Sequence, residues 1–226
     1  MLSVEKLARR EGRLQILKDV SFEWSRGVLA VIGGNGTGKT TLLRVVAGAA
    51  KPNEGKVTWN GIPASRAVRQ RGKIGYGPQE RNLDLAITLR EFLGLCADLR
   101  GLRGRTKLIA AVAEELGLVK QLDERLANLS GGGRRKAMTA QALLGTSELI
   151  VLDEPTSEVD YAASRRFWNA FQTRGKSSAL VIATHDVELA LSYADAILLL
   201  QKGQPARQAP ASAFSIGELS SAIGEG

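Results

Sequence analysis

The sequence predicts an α/β fold with an inserted helical segment, on three observations. A short, continuously apolar run at 28–33 leads through glycine-rich sequence into a helical pattern, the order that opens a βαβ unit. Residues from about 80 to 128 then read as helices only. From Leu149 onward short apolar runs alternate with helical patterns again, so the helical segment interrupts one α/β core. The 226 residues suffice for a hydrophobic core without disulfides or metal staples.

Taken in order, the first 25 or so residues alternate as strands do, with Leu2 and Val4 and then Val20, Phe22 and Trp24 on one face. Leu42, Leu43, Val45 and Val46 give the first helical pattern, which ends at Gly48. Residues 56–59 followed by Asn60-Gly61 predict a strand entering a tight turn, and 73–76 another short strand. Thr88-Leu89-Arg90-Glu91 is a capping box. After it Leu89, Phe92, Leu93, Cys96 and Leu99 share a helical face, and Gly101 ends the run. A second helix starts at Thr106, points Ile109, Val112 and Leu116 inward and stops at Gly117. Beyond it the sequence predicts strands at 149–153, 179–184 and 196–201 and helices at 160–174 and 187–193. The tail after Gly203 is rich in Pro and Ala, with a short helix near 216–223.

Composition removes several classes. A hydrophobic fraction of 44% with 24% charged residues excludes a disordered, collagen-like or long coiled-coil chain. No apolar run approaches the ~20 residues of a membrane span. Glu5, Lys6, Arg9 and Arg10 stand where a secretory signal would need an apolar stretch. The one cysteine, Cys96, forbids an intrachain disulfide and fits a reducing cytosol. The net charge of +8 admits nucleic acid or an anionic membrane as a partner, but the cations are dispersed except at 100–107 and 134–136.

One string carries chemistry outright. Gly33-Gly34-Asn35-Gly36-Thr37-Gly38-Lys39-Thr40 matches G-x-x-x-x-G-K-[ST] in the required setting, after an apolar strand and before a helix. Glycine lets backbone N–H groups converge on phosphate oxygens, and the helix that follows aims its positive end at the same anion. Lys39 is expected to reach the β- and γ-phosphates and the Thr40 hydroxyl to bind Mg²⁺. Asp153 closes an apolar strand and is followed by Glu154. A carboxylate there can hold Mg²⁺ opposite Thr40, and Glu154 can polarise an attacking water.

Leu129-Ser130-Gly131-Gly132, shortly before the Asp153 strand, completes a pattern. With the phosphate loop it resembles the nucleotide-binding subunit of ATP-binding cassette (ABC) transporters, over nearly the whole chain up to about Gly203. Gln79 in Tyr76-Gly77-Pro78-Gln79 matches the glutamine that senses Mg²⁺ and the γ-phosphate. Asp153-Glu154-Pro155-Thr156-Ser157 matches the second phosphate-site motif and the segment after it. Asp160 matches the D-loop aspartate, and His185, the only histidine, the switch histidine.

The resemblance implies a RecA-like P-loop NTPase core with an antiparallel β subdomain and an inserted helical subdomain. The α/β core is expected at about 1–79 and 137–226, and the helical subdomain with its Ser130 loop at 80–136. It implies ATP bound by Gly33, Gly34, Asn35, Gly36, Thr37, Gly38, Lys39, Thr40 and Thr41. Mg²⁺ is held by Thr40, Gln79 and Asp153; Glu154 is general base, helped by His185 and Gln79. Ser130, Gly131, Gly132 and Asp160 serve the other chain's ATP in a head-to-tail dimer with a second copy or a paralogue. Separate transmembrane subunits, docking near Gln79 and the helical subdomain, would hold the chain at the cytoplasmic face of the membrane, and no nucleic acid is expected.

The segment 88–102 and the run 130–136 resemble two-component exporters, so export is expected over import. The alternative, a soluble ABC-type ATPase acting on nucleic acid or ribosomes, calls for long coiled coils or a second cassette, and neither is visible. The chain departs from the family's pattern at three places. Gly133 stands for Gln, Glu158 for a small residue, and Arg9-Arg10-Glu11-Gly12 lacks the aromatic that stacks on adenine. An arginine can stack on the base instead.

Overall fold

Strands β1 (Leu2–Glu11) and β2 (Leu14–Trp24) pair antiparallel in a computed structural model that describes residues 1–67, 73–79, 86–202 and 204–224. β3 (Gly27–Ile32) leads to helix α1 (Lys39–Val46). β4 (Glu54–Trp59) turns at Asn60-Gly61 into the short β5 (Ile62–Pro63) and α2 (Ala64–Ala67). β6 (Ile74–Gly77) precedes the helices α3 (Leu89–Leu99), α4 (Arg105–Leu116) and α5 (Gly131–Ala142). Then come β7 (Leu149–Asp153), α6 (Tyr161–Gly175), β8 (Ala179–Ala183), α7 (Val187–Tyr193), β9 (Ala196–Leu199), β10 (Arg207–Pro210) and α8 (Ile216–Gly224).

The strands form two sheets, a small antiparallel one of order β2-β1-β4-β5 and a larger one of order β10-β9-β3-β8-β7-β6. In the larger sheet every pairing is parallel except β10 with β9. β3, β7 and β8 are apolar at successive positions because the sheet is covered on both faces. Their side chains divide by strand period. Val28, Ala30, Ile32, Ile150, Leu152, Leu180 and Ile182 pack with the helices. Leu29, Val31, Leu149, Val151, Ala179, Val181 and Ala183 pack with α1 and the antiparallel sheet. The glycine-rich loop and the Asp153 end of β7 therefore emerge on one side of the sheet, at the carboxyl ends of the parallel strands β3 and β7 that flank β8, where open α/β sheets bind ligands.

The capping box forms as expected: Thr88 Oγ1 accepts from the Glu91 amide, and Glu91 accepts from the Thr88 amide at 2.8 Å. The inward face of α3 differs from the expected one. Leu89, Leu93, Gly94 and Ala97 are buried, whereas Phe92 and Cys96 are half-buried and Leu99 is 72% exposed. At about 100° per residue, the line 89-93-97 points at α4 and α5, and Leu99 lies on the far side. The start of the helical segment, expected at 80, falls on 80–85, outside the described residues, as does Gly203 at the head of the tail. α5 is continuous from Gly131 to Ala142 and packs on β6 and β7, so the helical segment enters the core without a break at 136. Sequence reasoning gave the tail a helix only. It also contains β10, an edge strand whose Pro210 needs no partner for its missing N–H.

Candidate functional site

The glycine-rich loop wraps the start of α1. Gly38 caps that helix at φ 98°, a conformation L side chains rarely adopt, and a Cβ there would sit 2.6 Å from Leu17. Lys39 Nζ donates to the Gly33 carbonyl at 2.7 Å and the Gly34 carbonyl at 3.1 Å, and Thr37 Oγ1 donates to Gly34 at 2.9 Å. A cleft of about 280 Å³ opens beside the loop, lined by Asn35, Gly36, Gly38, Lys39, Thr40, Thr41, Gln79, Asp153, Glu154 and Ile16. Burial lowers the Lys39 ammonium from its ordinary value against the pull of Glu154 and Asp153.

Three of these side chains, Thr40, Gln79 and Asp153, line the same cleft and could offer oxygen donors to a hard cation. Thr40 Oγ1 lies 3.4 Å from Gln79 Oε1. Asp153 is 1% exposed, and neither carboxylate oxygen has a hydrogen-bond partner among the described residues. Burial pushes the Asp153 carboxyl above the usual range; the Thr40 hydroxyl close by opposes this, Glu154 adds to it, and Arg135 and Lys39 pull it back. A buried carboxylate without a partner is costly, and a divalent cation held with hydroxyl and amide oxygens removes that cost. The donor set is all oxygen, as Mg²⁺ prefers.

Glu154 follows at φ 52°, a backbone costing roughly 1–2 kcal/mol for a residue with a Cβ. Its amide donates to the Ala183 carbonyl at 2.9 Å, which ties the bend to the end of β8. Its buried carboxylate meets His185 Nδ1 at 2.8 Å. His185 is itself exposed, so the pair joins a buried carboxylate to a solvent-facing imidazole.

The remaining expected residues lie elsewhere. Ser130 caps α5, accepting from the Gly133 amide at 3.1 Å, and Gly131 opens the helix. Asp160 caps α6 through the Ala163 amide at 2.9 Å, a bond that holds its carboxyl below the usual range. Ser130, Gly132, Gly133, Lys136, Glu158 and Asp160 line a separate cleft of about 340 Å³ that shares no residue with the first. Lys136 spans it to Asp160 at 3.8 Å.

Gly132 has a role that sequence reasoning missed. A Cβ there would stand 2.5 Å from the Glu158 carbonyl, so the glycine seats α5 against the backbone after β7 as well as leaving the loop open. Gly132→Ala must move that backbone. It is expected to cost about 1–3 kcal/mol, read as a lowered midpoint in chemical denaturation. A midpoint equal to that of the unaltered protein would refute the contact.

The arginines suggested for the base lie away from the first cleft. Arg9 Nη1 donates to the Lys51 carbonyl at 2.7 Å, the Arg10 amide donates to Asn53, and the Arg10 side chain lies 3.9 Å from Glu54. The side chain of this region that lines the cleft is Ile16 of β2. Its signal was its place near the loop, but aliphatic residues on a strand are usually read as core.

The fold is that of the phosphate-loop NTPases, with glycine loop, lysine and strand-end carboxylate on one side of the sheet. A family model described as "ABC transporter" matches residues 17–157, and the chain belongs to that family. It is 34% identical over 211 residues to "Nod factor export ATP-binding protein I" of Rhizobium meliloti, covering 89% of this chain and 62% of that one. Against "Zinc import ATP-binding protein ZnuC" of Cereibacter sphaeroides it is 32% identical, over 89% of this chain and 79% of that one. The chain thus spans about three fifths of the first of these relatives. Among solved structures it is similar to "Structure of ATP binding subunit of ABC transporter", with TM-score 0.83 and 27% identity over 93% of this chain and 90% of that one.

Proposed function

We propose that this chain binds ATP with Mg²⁺ and hydrolyses it to drive a membrane transporter, as one half of a head-to-tail dimer of copies or paralogues. The observation that carries the reading is the convergence of Lys39, Thr40, Gln79, Asp153 and Glu154 on one cleft. Loop amides and Lys39 bind the phosphates. Thr40, Gln79 and Asp153 would hold Mg²⁺, which when bound neutralises charge on the phosphates. Glu154 takes a proton from the water that attacks the γ-phosphorus, the bond to the β–γ bridging oxygen breaks, and ADP and inorganic phosphate leave. His185, on Glu154 in this structure, is placed to turn toward the γ-phosphate. The Ser130 cleft supplies a second set of contacts to the partner's nucleotide, since it lies apart from the chain's own phosphate loop. Steady-state ATP hydrolysis by the purified chain tests this; a chain that neither binds ATP nor hydrolyses it would overturn it.

Separate membrane subunits would hold the chain at the cytoplasmic face; among the described residues no helix is long and apolar enough to cross a membrane. For direction we favour export, on the segment 88–102 and on the Nod factor export relative, although importers of zinc and hemin are similar at 32% and 31% identity. ATP added to inside-out vesicles bearing the assembled transporter should then drive cargo inward, and an ATP-driven loss of cargo would reverse the assignment.

Ile16 of β2 lines the cleft, and we place the base against this aliphatic side chain rather than against a ring or a guanidinium. An aliphatic surface reads no donor or acceptor pattern, and every nucleoside triphosphate shares the phosphate contacts. GTP is therefore expected to be hydrolysed within about tenfold of ATP, a difference of at most ~1.4 kcal/mol. Arg10→Ala is expected to leave nucleotide affinity unchanged. Steady-state comparison of the two nucleotides checks the first expectation, and a hundredfold preference for ATP would mean that another group reads the adenine edge.

A further inference from the structure

We infer that Arg135 is a positioning residue that links the Ser130 loop to the metal side of the chain's own nucleotide site, an inference that rests on the function proposed above. Arg135 is 1% exposed, although it lies in a run of three cations, Arg134 to Lys136. A guanidinium is buried only where carbonyls or carboxylates hold it. Here Nη1 donates to the Gln79 carbonyl at 3.0 Å and to the Asp153 carbonyl at 3.4 Å. Those carbonyls belong to two of the three residues whose side chains form the oxygen site.

Arg135 is carried by α5, whose first turn is capped by Ser130. Its own carbonyl accepts from Thr139 Oγ1 at 3.1 Å, within the same helix. Ser130 caps α5 and Arg135 lies in the next turn of the same hydrogen-bonded helix, so the two are carried on one continuous element. Seating Ser130 on the partner's nucleotide moves α5, and the guanidinium carries that movement to Gln79 and Asp153. The two nucleotide sites of the dimer are thereby linked through one side chain per protomer.

The test is a cycle of substitutions read by metal binding. Mn²⁺ affinity is measured by electron paramagnetic resonance in the presence of a non-hydrolysable ATP analogue. Four proteins are compared: unaltered, Ser130→Arg, Arg135→Met and the double variant. Substitutions behind metal ligands typically cost 10–100-fold in metal affinity, so Arg135→Met is expected to weaken Mn²⁺ at least about tenfold. Affinity for the analogue in EDTA should change less than about twofold, because the phosphate loop is untouched. Ser130→Arg should weaken Mn²⁺ in the unaltered background and have no further effect beside Arg135→Met. An Arg135→Met protein that binds Mn²⁺ within twofold of the unaltered chain, or an equal Ser130→Arg effect in both backgrounds, overturns the inference. If Arg135→Met fails to fold, Arg135→Lys, which keeps the charge but cannot span both carbonyls, is read by the same criteria. Failure of the unaltered chain to bind the analogue at all would instead sink the proposed function.

Discussion

Glu154→Gln is expected to bind ATP as tightly as the unaltered chain while losing about 10²–10⁴-fold in turnover, the usual effect of removing a general base. The amide keeps the shape of the carboxylate and can still meet His185, so the φ 52° bend and the Ala183 tether survive. What it cannot do is accept the water's proton. The effect should therefore fall on kcat, with little change in the affinity that Lys39 and the loop amides supply. Single-turnover hydrolysis with direct measurement of nucleotide binding separates the two. Turnover within threefold of the unaltered chain would remove Glu154 from the chemistry and leave Asp153 or His185 to account for the proton.

The second large effect lies in the other cleft. Ser130→Arg places a bulky cation where the partner's nucleotide is proposed to enter, and it is expected to abolish hydrolysis in a dimer of identical chains. Lys39→Ala does the same by removing a phosphate contact. Mixed one to one, the two inactive proteins should regain activity. In a mixed dimer one composite site carries both lesions and the other carries neither. With Mg²⁺ saturating, so that any loss of metal affinity passed through Arg135 is overcome, that dimer retains up to about half the activity of the unaltered one. Heterodimers that form, by crosslinking or tag capture, and stay inactive at saturating Mg²⁺ would contradict the composite sites. The two clefts that the lesions occupy share no lining residue.

The phosphate loop was legible because its chemistry is contiguous: strand, glycines, Lys39 and helix follow one another, and local sequence dictates all of it. Thr88 and Glu91 were legible for the same reason. Gly132 was not, because its constraint is the Glu158 carbonyl, which tertiary packing alone brings near. Arg135 was hidden in the opposite way. Its neighbours Arg134 and Lys136 make it look like part of a solvated charge run, and only the packing of α5 on β6 and β7 turns it inward. That Arg9 and Arg10 do not line the cleft was not legible from the sequence. β1 shifts register against β2 between Val4 and Leu7, Leu7 and Arg9, and Arg9 and Arg10, and each irregularity re-aims the side chains that follow. The resemblance places a stacking group just before Gly12, and nothing in the local sequence shows that Ile16 lines the cleft.

In the proposed dimer each ATP is held between two chains. The most direct measurement is the mass of Glu154→Gln in solution, by sedimentation velocity, with and without ATP and Mg²⁺. With hydrolysis blocked and the Ser130 cleft intact, a monomer is expected that becomes a dimer when ATP is added. Adding Ser130→Arg to the same chain should restore the monomer while ATP remains bound. A Glu154→Gln chain that binds ATP to saturation and stays monomeric, at concentrations well above its nucleotide affinity, would contradict the account.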